Sequence, residues 1–353
     1  MKTIGILTFH YADNYGAVLQ TYALRRTINS LSGCRAEIIN YVPSGFSIPL
    51  YQNSEECRQR LLEKRKKFER FLQERCGLTD VILQEVSEKQ FDYYCVGSDQ
   101  VWNLNFADEE YLLPNLSDEV MRFSYAASVG MSLEEAYLKK DIFKKHLSKF
   151  KMISLREDVH VEFFSKLCGK ECCKVLDPTL LLDANEWNDM VTKESKCENP
   201  YLLFFWILHD DELLKGVELA NTISRKYNLS IIHTIVGAKS YMFNNDAGCI
   251  LYEGVEDFLW YVKNARFVVT NSYHAMLFSI QFKTAFYTFV VQSMRSRIDS
   301  VIEMFDISNR IVNNYINAGQ INYEIDWESI EAVIRIEREK SMKFIKDALD
   351  IRE

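Results

Sequence analysis

The chain has 353 residues, enough for two domains at about 150 residues each. Its 48% hydrophobic and 26% charged residues are those of an ordinary globular protein. A net charge of −8 at pH 7 argues against general nucleic-acid binding, since an anionic protein gains little from releasing counterions off a phosphate backbone.

The N-terminus runs straight into an apolar strand predicted at 4–8. It lacks the charged region, long apolar core and cleavage site of a signal peptide, so a cytoplasmic location is expected. A polar loop at 9–15 leads to Gly16 and a helix reaching about residue 31, with Val18, Leu19, Tyr22 and Ala23 on one face. The next strand, at 36–41, is stopped by Pro43 and Gly45. Strand, helix and strand at this spacing imply a parallel sheet with a right-handed crossover.

Residues 54–76 are densely charged, with Arg58, Arg60, Lys64, Arg65, Lys66 and Lys67 among glutamates and an apolar stripe of Leu61, Leu62, Phe68, Phe71 and Leu72. The plain reading is a solvated amphipathic helix. The alternative is a basic surface touching an anionic or lipid-linked substrate at a membrane periphery. Further strands are predicted at 93–96, 122–126, 152–154 and 174–176, with helices at 133–150 and 159–167. Asp177 and Pro178 close this half, and 179–199 reads as a linker.

Alternation then restarts, with strands at 201–206, 230–235, 267–270 and 284–290 and helices at 212–226, 255–264 and 274–282. A charged helix from residue 329 ends the chain and is able to pack on either half. The expected fold is α/β: two Rossmann-like lobes, 1–180 and 181–353, facing across a cleft. No run reaches the ~18–20 apolar residues of a membrane span. The nine cysteines contain no C-x-x-C pair, and the nearest to a cluster is Cys168, Cys172 and Cys173. Reduced thiols, with no metal and no cofactor, are expected.

Ligands of open α/β sheets bind outside the carboxyl ends of the strands, which singles out four loops. In F-H-Y-A-D-N-Y-G-A-V-L-Q, His10, Asp13 and Asn14 precede a helix whose Gly16 and Ala17 N–H groups suit an anion. The plainer alternative is that Asp13 or Asn14 caps the helix. In V-G-S-D-Q-V-W-N, Ser98, Asp99 and Gln100 offer hydroxyl, carboxylate and amide to a polyol, and Trp102 either stacks on a sugar or fills the core.

In S-L-R-E-D, Arg156 follows a strand directly. A guanidinium there suits a carboxylate or phosphate ligand, or forms an ion pair within the protein. In T-N-S-Y-H-A-M-L-F, Asn271 and Ser272 precede His274 in the first turn of a helix, a placement suited to acid–base work. His146, His160, His209 and His233 lack comparable company and read as structural or surface residues.

These loops lie within blocks that resemble the polysaccharide pyruvyl transferase family over nearly the whole chain. The blocks, in order, are T-F-H-Y-A-D-N-Y-G-A-V-L-Q-T-Y-A-L, F-D-Y-Y-C-V-G-S-D-Q-V-W-N, S-Y-A-A-S-V-G, S-L-R-E, V-L-D-P-T-L-L-L and V-V-T-N-S-Y-H-A-M-L-F-S-I. The resemblance implies the GT-B-like fold of many glycosyltransferases. It also implies transfer of the enolpyruvyl unit of phosphoenolpyruvate to two hydroxyls of a saccharide acceptor, free or lipid-linked, during exopolysaccharide biosynthesis. Arg156 matches the family's donor-binding arginine and His274 its acid; the chemistry also calls for a carboxylate to orient or deprotonate the acceptor, for which Asp99 and Asp13 are the candidates. Some members carry R-L-H where this chain has Ser272-Tyr273-His274, and Arg295 and Arg297 are the candidates to replace that arginine. Two competing readings are a nucleotide-sugar glycosyltransferase, with Tyr241, Phe243 and Tyr252 near the base, and a non-catalytic sugar-binding protein.

Overall fold

A computed structural model describes residues 1–44, 46, 55–86, 90–207, 211–235, 242–291, 295–312, 316 and 318–352. The chain divides into two compact units. Unit 1 comprises Met1–Tyr51, Glu69–Leu182 and Ile334–Glu353, and unit 2 comprises Gln52–Phe68 and Asp183–Val333.

In unit 1, β1 (Lys2–Leu7), α1 (Tyr15–Asn29) and β2 (Cys34–Ile38) form the expected crossover. The helix α2 (Glu55–Phe71) begins in unit 2 and is followed by a π turn at Leu72–Cys76. With β3 (Tyr93–Val96) and β4 (Met121–Ser124), the first strands make a parallel sheet of order β2-β1-β3-β4. The central strands bury Ile4–Leu7 and Tyr94–Val96 as continuous runs, as a covered parallel sheet requires, whereas the edge strand β2, C-R-A-E-I, alternates.

The helix expected over 133–150 is two helices, α3 (Leu133–Leu138) and α4 (Lys140–Leu147), separated at Lys139, where φ is −105°. Ser132 and Glu135 close a capping box on the first of them. Next come β5 (Ile153–Leu155), α5 (Val161–Cys168) and β6 (Cys172–Lys174), the last lying upstream of its expected place. β5 and β6 pair in parallel. Side chains extend the sheet from β4 to β5: Ser154 N–H donates to Ser124 Oγ at 3.0 Å, and each hydroxyl donates to the other's carbonyl at 2.9 and 3.0 Å.

Trp102 is fully buried. Its Nε1 donates to the Tyr111 carbonyl at 3.1 Å, and its ring lies 6.0 Å from Phe150 and 6.0 Å from Phe164. The indole fills the core, and the sugar-stacking alternative is overturned because no face of it reaches solvent.

The expected linker contains a 3-10 turn, Pro178–Leu180, and a short helix α6 (Ala184–Asn188). That helix buries Trp187 edge-on to Phe278 at 5.0 Å. Unit 2 then carries β7 (Tyr201–Phe205), α7 (Leu213–Tyr227), β8 (Ser230–His233) and β9 (Asp246–Cys249). After them come α8 (Val255–Asn264), β10 (Phe267–Thr270), α9 (Tyr273–Gln281), β11 (Phe286–Thr288) and α10 (Arg295–Phe305). Its sheet is parallel throughout, in the order β11-β10-β7-β8-β9. β9 was not expected: its residues, D-A-G-C, are largely exposed on a sheet edge and carry no apolar pattern.

The basic face of α2 turns partly inward. Arg60 lies over the Tyr252 ring at 4.3 Å, Lys67 pairs with Glu253 at 2.9 Å, and Lys64 is buried. The last helix, α11 (Trp327–Ala348), passes from unit 2 into unit 1. There Ser341 Oγ accepts from Leu176 N–H at 3.0 Å, and Arg338 donates to the Leu180 and Leu182 carbonyls. Lys151 donates to the Ala348 carbonyl at 3.1 Å, where a cation complements the negative end of the helix dipole. No described helix is long and apolar enough to cross a membrane.

Candidate functional site

The first loop in unit 1 is built by a chain of hydrogen bonds at the carboxyl ends of β1 and β3. Gln20 donates to Thr8 Oγ1 at 2.9 Å, and that hydroxyl donates to the Ser98 carbonyl at 2.8 Å. Gly97 permits this approach, since a Cβ there would lie 2.9 Å from Thr8 Cβ. Asn14 caps α1, its side chain accepting from Ala17 N–H at 3.2 Å. Asn14 thus takes the Ala17 amide, the capping alternative for this loop, and Gly16 is buried beside it. Asp13 is half-buried in the same loop, and the buried His10 ring bridges the Thr8 carbonyl and Asn40.

Asp99 takes a left-handed backbone conformation, with φ of 73°. A non-glycine residue held there costs of order 1 kcal/mol and persists only where its surroundings fix it. Here they do. The Asp99 carbonyl accepts from Ser128 N–H at 2.9 Å, and its Oδ1 accepts from Gln100 N–H at 2.9 Å. Gln100 in turn accepts from Asn103 at 3.1 Å.

Arg156 is the centre of this group. Its side chain is 1% exposed, with Nη1 2.9 Å from Asp177 Oδ2 and Nη2 3.5 Å from Asp99 Oδ1. Asp177 also accepts from the N–H and hydroxyl of Thr179 at 3.0 and 2.7 Å, and Ser98 Oγ lies 3.5 Å from it. One guanidinium thus faces two carboxylates, the internal ion pair that was the alternative reading of this residue. The neighbouring Glu157 is fully buried and accepts from the Ser128 hydroxyl and from Val129 N–H at 3.4 Å. Asp177 escaped the sequence reading as a site residue. Its signal was a carboxylate standing immediately after a strand-end apolar pair, in V-L-D-P.

In unit 2 the candidate residues follow β10. Asn271 is fully buried and its Oδ1 accepts from Ile207 N–H, just past β7, at 2.9 Å. Ser272 donates its N–H to Thr270 Oγ1 at 2.9 Å and caps α9 by accepting from Ala275 N–H at 3.4 Å. His274 is the second residue of that helix, 9% exposed, with its ring edge-on to Tyr273 at 5.1 Å.

Arg295 opens α10, its side chain 55% exposed and 3.9 Å from Asp299, while Arg297 is buried in the same first turn. Structure therefore gathers Ser98, Asp99, Gln100 and Arg156 in unit 1. Asn271, Ser272 and His274 stand together on one turn in unit 2, and the two arginines on the next helix.

His233 has more company than expected. Its Nε2 lies 3.0 Å from Asp246 Oδ1, its Nδ1 accepts from Ile235 N–H at 3.2 Å, and its ring stacks on Phe243 at 4.6 Å. Both ring nitrogens are used, which makes it a structural residue. Phe243 and Tyr252, considered for base stacking, are buried, the first stacked on His233 and the second under Arg60; Tyr241 and His209 lie outside the described residues. Among the described residues no group of three His, Cys, Asp or Glu side chains is arranged to hold a metal ion.

Many solved structures share the fold, and three serve as examples. The S. aureus MnaA–UDP co-structure is 11% identical with a TM-score of 0.55, covering 100% of this chain and 98% of that one. The UDP-GlcNAc 2-epimerase of Neisseria meningitidis bound to UDP-GlcNAc is 8% identical with a TM-score of 0.52, covering 100% of both chains. That of Methanocaldococcus jannaschii is 13% identical with a TM-score of 0.53, again covering 100% of both. At such identities the likeness is one of fold, the α/β, GT-B type. No curated protein sequence matches the chain. The model of one family, polysaccharide pyruvyl transferase, matches residues 14–293, well over half the length, and takes in the Asp99, Arg156 and His274 loops and the first loop from Asn14 on. The chain belongs to the polysaccharide pyruvyl transferase family, and it is accordingly a transferase.

Proposed function

We propose that the protein moves the enolpyruvyl unit of phosphoenolpyruvate onto two hydroxyls of a sugar in a surface-polysaccharide precursor. The products are a cyclic pyruvate ketal and inorganic phosphate. What most supports this reading is the family match over residues 14–293, which takes in both the Asp99 and the His274 loops. Atoms balance without a cofactor: one hydroxyl proton ends on the methylene carbon as a methyl hydrogen, and the other leaves with phosphate.

The reaction needs an acid for that carbon, cations for the donor and a group that orients the acceptor. His274, held in the first turn of α9 by the Asn271 and Ser272 contacts, is the acid. Asp99, flanked by Ser98 and Gln100, orients and deprotonates the acceptor hydroxyl, and Asp13, Asn14 and Gly16 shape the adjoining loop.

Charge separates the two substrates. Arg156 is enclosed by Asp99 and Asp177, and a cluster with an excess of carboxylate repels an anionic donor. We therefore assign Arg156 to positioning Asp99, in place of the donor contact that the resemblance implies. The donor's carboxylate and phosphate fall to unit 2. Arg295 and Arg297 stand in the first turn of α10, where cations oppose the helix dipole and a bound anion satisfies both.

Calorimetry with phosphoenolpyruvate and with UDP-, GDP- and CMP-sugars, paired with a phosphate-release assay, tests this. The expected result is phosphoenolpyruvate binding that weakens at least tenfold in Arg295→Gln or Arg297→Gln and survives in Asp99→Asn. Loss of donor affinity in a folded Arg156→Lys variant would return that arginine to the donor. Binding of a nucleotide sugar alone, or of no donor, would sink the pyruvyl-transfer reading.

A further inference from the structure

At the carboxyl ends of β1, β2 and β3 in unit 1, six aromatic rings form a contiguous cluster. Tyr41 and Tyr111 are its buried base, 5.6 Å apart and edge-to-face. Phe9 stands on Tyr111 at 5.0 Å, and Tyr11 on Phe9 at 5.9 Å. Two further rings continue outward: Phe46, 4.5 Å from Tyr11 and 36% exposed, and Phe106, 6.2 Å from Phe9 and 62% exposed. A single exposed phenylalanine needs no explanation. Two on one aromatic stack, at the end of a parallel sheet where ligands bind, form a ready apolar platform.

We propose that Phe106 and Phe46, supported by Phe9 and Tyr11, bind the C–H face of a neutral pyranose and bring its hydroxyls toward Asp99. This acceptor subsite rests on the pyruvyl-transfer reading given above. Charge selects the occupant. The ionised groups acting on the Tyr11, Tyr41 and Tyr111 hydroxyls are Asp99, Asp108 and Glu110, all carboxylates. Arg156, the cation beside Asp99, is held by two of the site's acids. Such surroundings disfavour phosphoenolpyruvate and anionic lipid headgroups, and they suit an uncharged ring that offers C–H bonds to aromatics and hydroxyls to carboxylates. Asp99 and Phe106 both belong to the segment that follows β3, and the Asp99 carboxylate is one of the charges that, after burial, raise the Tyr11 hydroxyl's pKa.

Saturation-transfer NMR with methyl glycosides of neutral hexopyranoses, on the full chain, tests the subsite. At least one glycoside is expected to bind the wild type, with the strongest transfer to protons of one ring face. Phe106→Ala should weaken it about three- to tenfold and Phe106→Trp should retain it. Phosphoenolpyruvate affinity should be unchanged by either. Because Phe106 is exposed, both variants should keep the wild-type urea midpoint.

Equal glycoside affinity in wild type and Phe106→Ala, or no glycoside binding to the wild type, overturns the platform. So does a Phe106→Ala variant that loses phosphoenolpyruvate affinity. Wild-type binding of phosphoenolpyruvate judges the underlying reading separately. Glycoside binding without it sinks pyruvyl transfer and leaves the platform standing.

Discussion

The strand ends of unit 1 and unit 2 are built from the same grammar and carry opposite chemistry. In unit 1 the loops after β3 and β6 place two carboxylates around one enclosed arginine that follows β5, and the loops after β1 and β3 carry aromatic rings. In unit 2 the loop after β10 places a histidine in a helical turn, and the chain past β11 opens a helix with two arginines. A doubly wound scaffold fixes where ligands go, and the loop residues decide which charge is welcome. The contrast is what the proposed assignment uses, with an anionic donor given to unit 2 and an uncharged acceptor to unit 1.

The largest expected effect falls on unit 2. His274→Ala should lower kcat about 10²- to 10⁴-fold, the usual worth of a positioned general acid, while KM for phosphoenolpyruvate stays within about threefold. A matched loss in KM alone, measured by phosphate release, would make His274 a binding residue and leave the acid unassigned.

Next in size is the enclosed pair of unit 1. Arg156→Ala strands Asp99 and Asp177 without their cation in a site only a few per cent exposed. Breaking such a buried pair costs about 3–5 kcal/mol, which urea unfolding would read directly. An Arg156→Ala protein of near wild-type stability would show that the guanidinium belongs to a ligand, and the two units would then not differ in role as proposed.

Third is a pH effect confined to unit 1. Burial, reinforced by Glu85 and Asp108, raises the Glu110 carboxyl to about 6, against the Val86 N–H bond, which lowers it. A carboxyl with a raised folded-state pKa favours folding below its unfolded value of 4.5, and that contribution disappears as pH rises through about 6. Stability should fall by about 2 kcal/mol between those limits. Glu110→Gln, which keeps an acceptor for Val86 N–H, should flatten that slope and raise the urea midpoint at pH 7. An unchanged slope would place the titration elsewhere.

The sequence carried the fold further than the site. The strands at 93–96 and 267–270 coincide with β3 and β10, because a strand buried on both faces is a plain apolar run. β9 had no such run, and with it went the His233–Asp246 contact, which forms across the β8–β9 edge. The break at Lys139 was hidden for another reason: nothing in the local helix pattern marks it. The four loops were legible because polar and aromatic residues crowd where a cap needs one. Arg156's partners were not, since Asp99 and Asp177 meet it only through the order of the strands.

The smallest prediction addresses two residues that look alike in the sequence. Asn14 and Ser272 each stand between a strand and a helix, and each accepts from the amide three residues on. As caps, each should cost about 1 kcal/mol when changed to alanine, seen as a lower urea midpoint. They should differ in activity. Ser272 caps the helix that holds His274, so Ser272→Ala should lower kcat severalfold through a frayed first turn, whereas Asn14→Ala should leave it within about twofold. Ser272→Thr keeps the capping hydroxyl and should restore both readings. If Ser272→Ala instead raised KM for phosphoenolpyruvate with kcat intact, Ser272 would touch the donor directly.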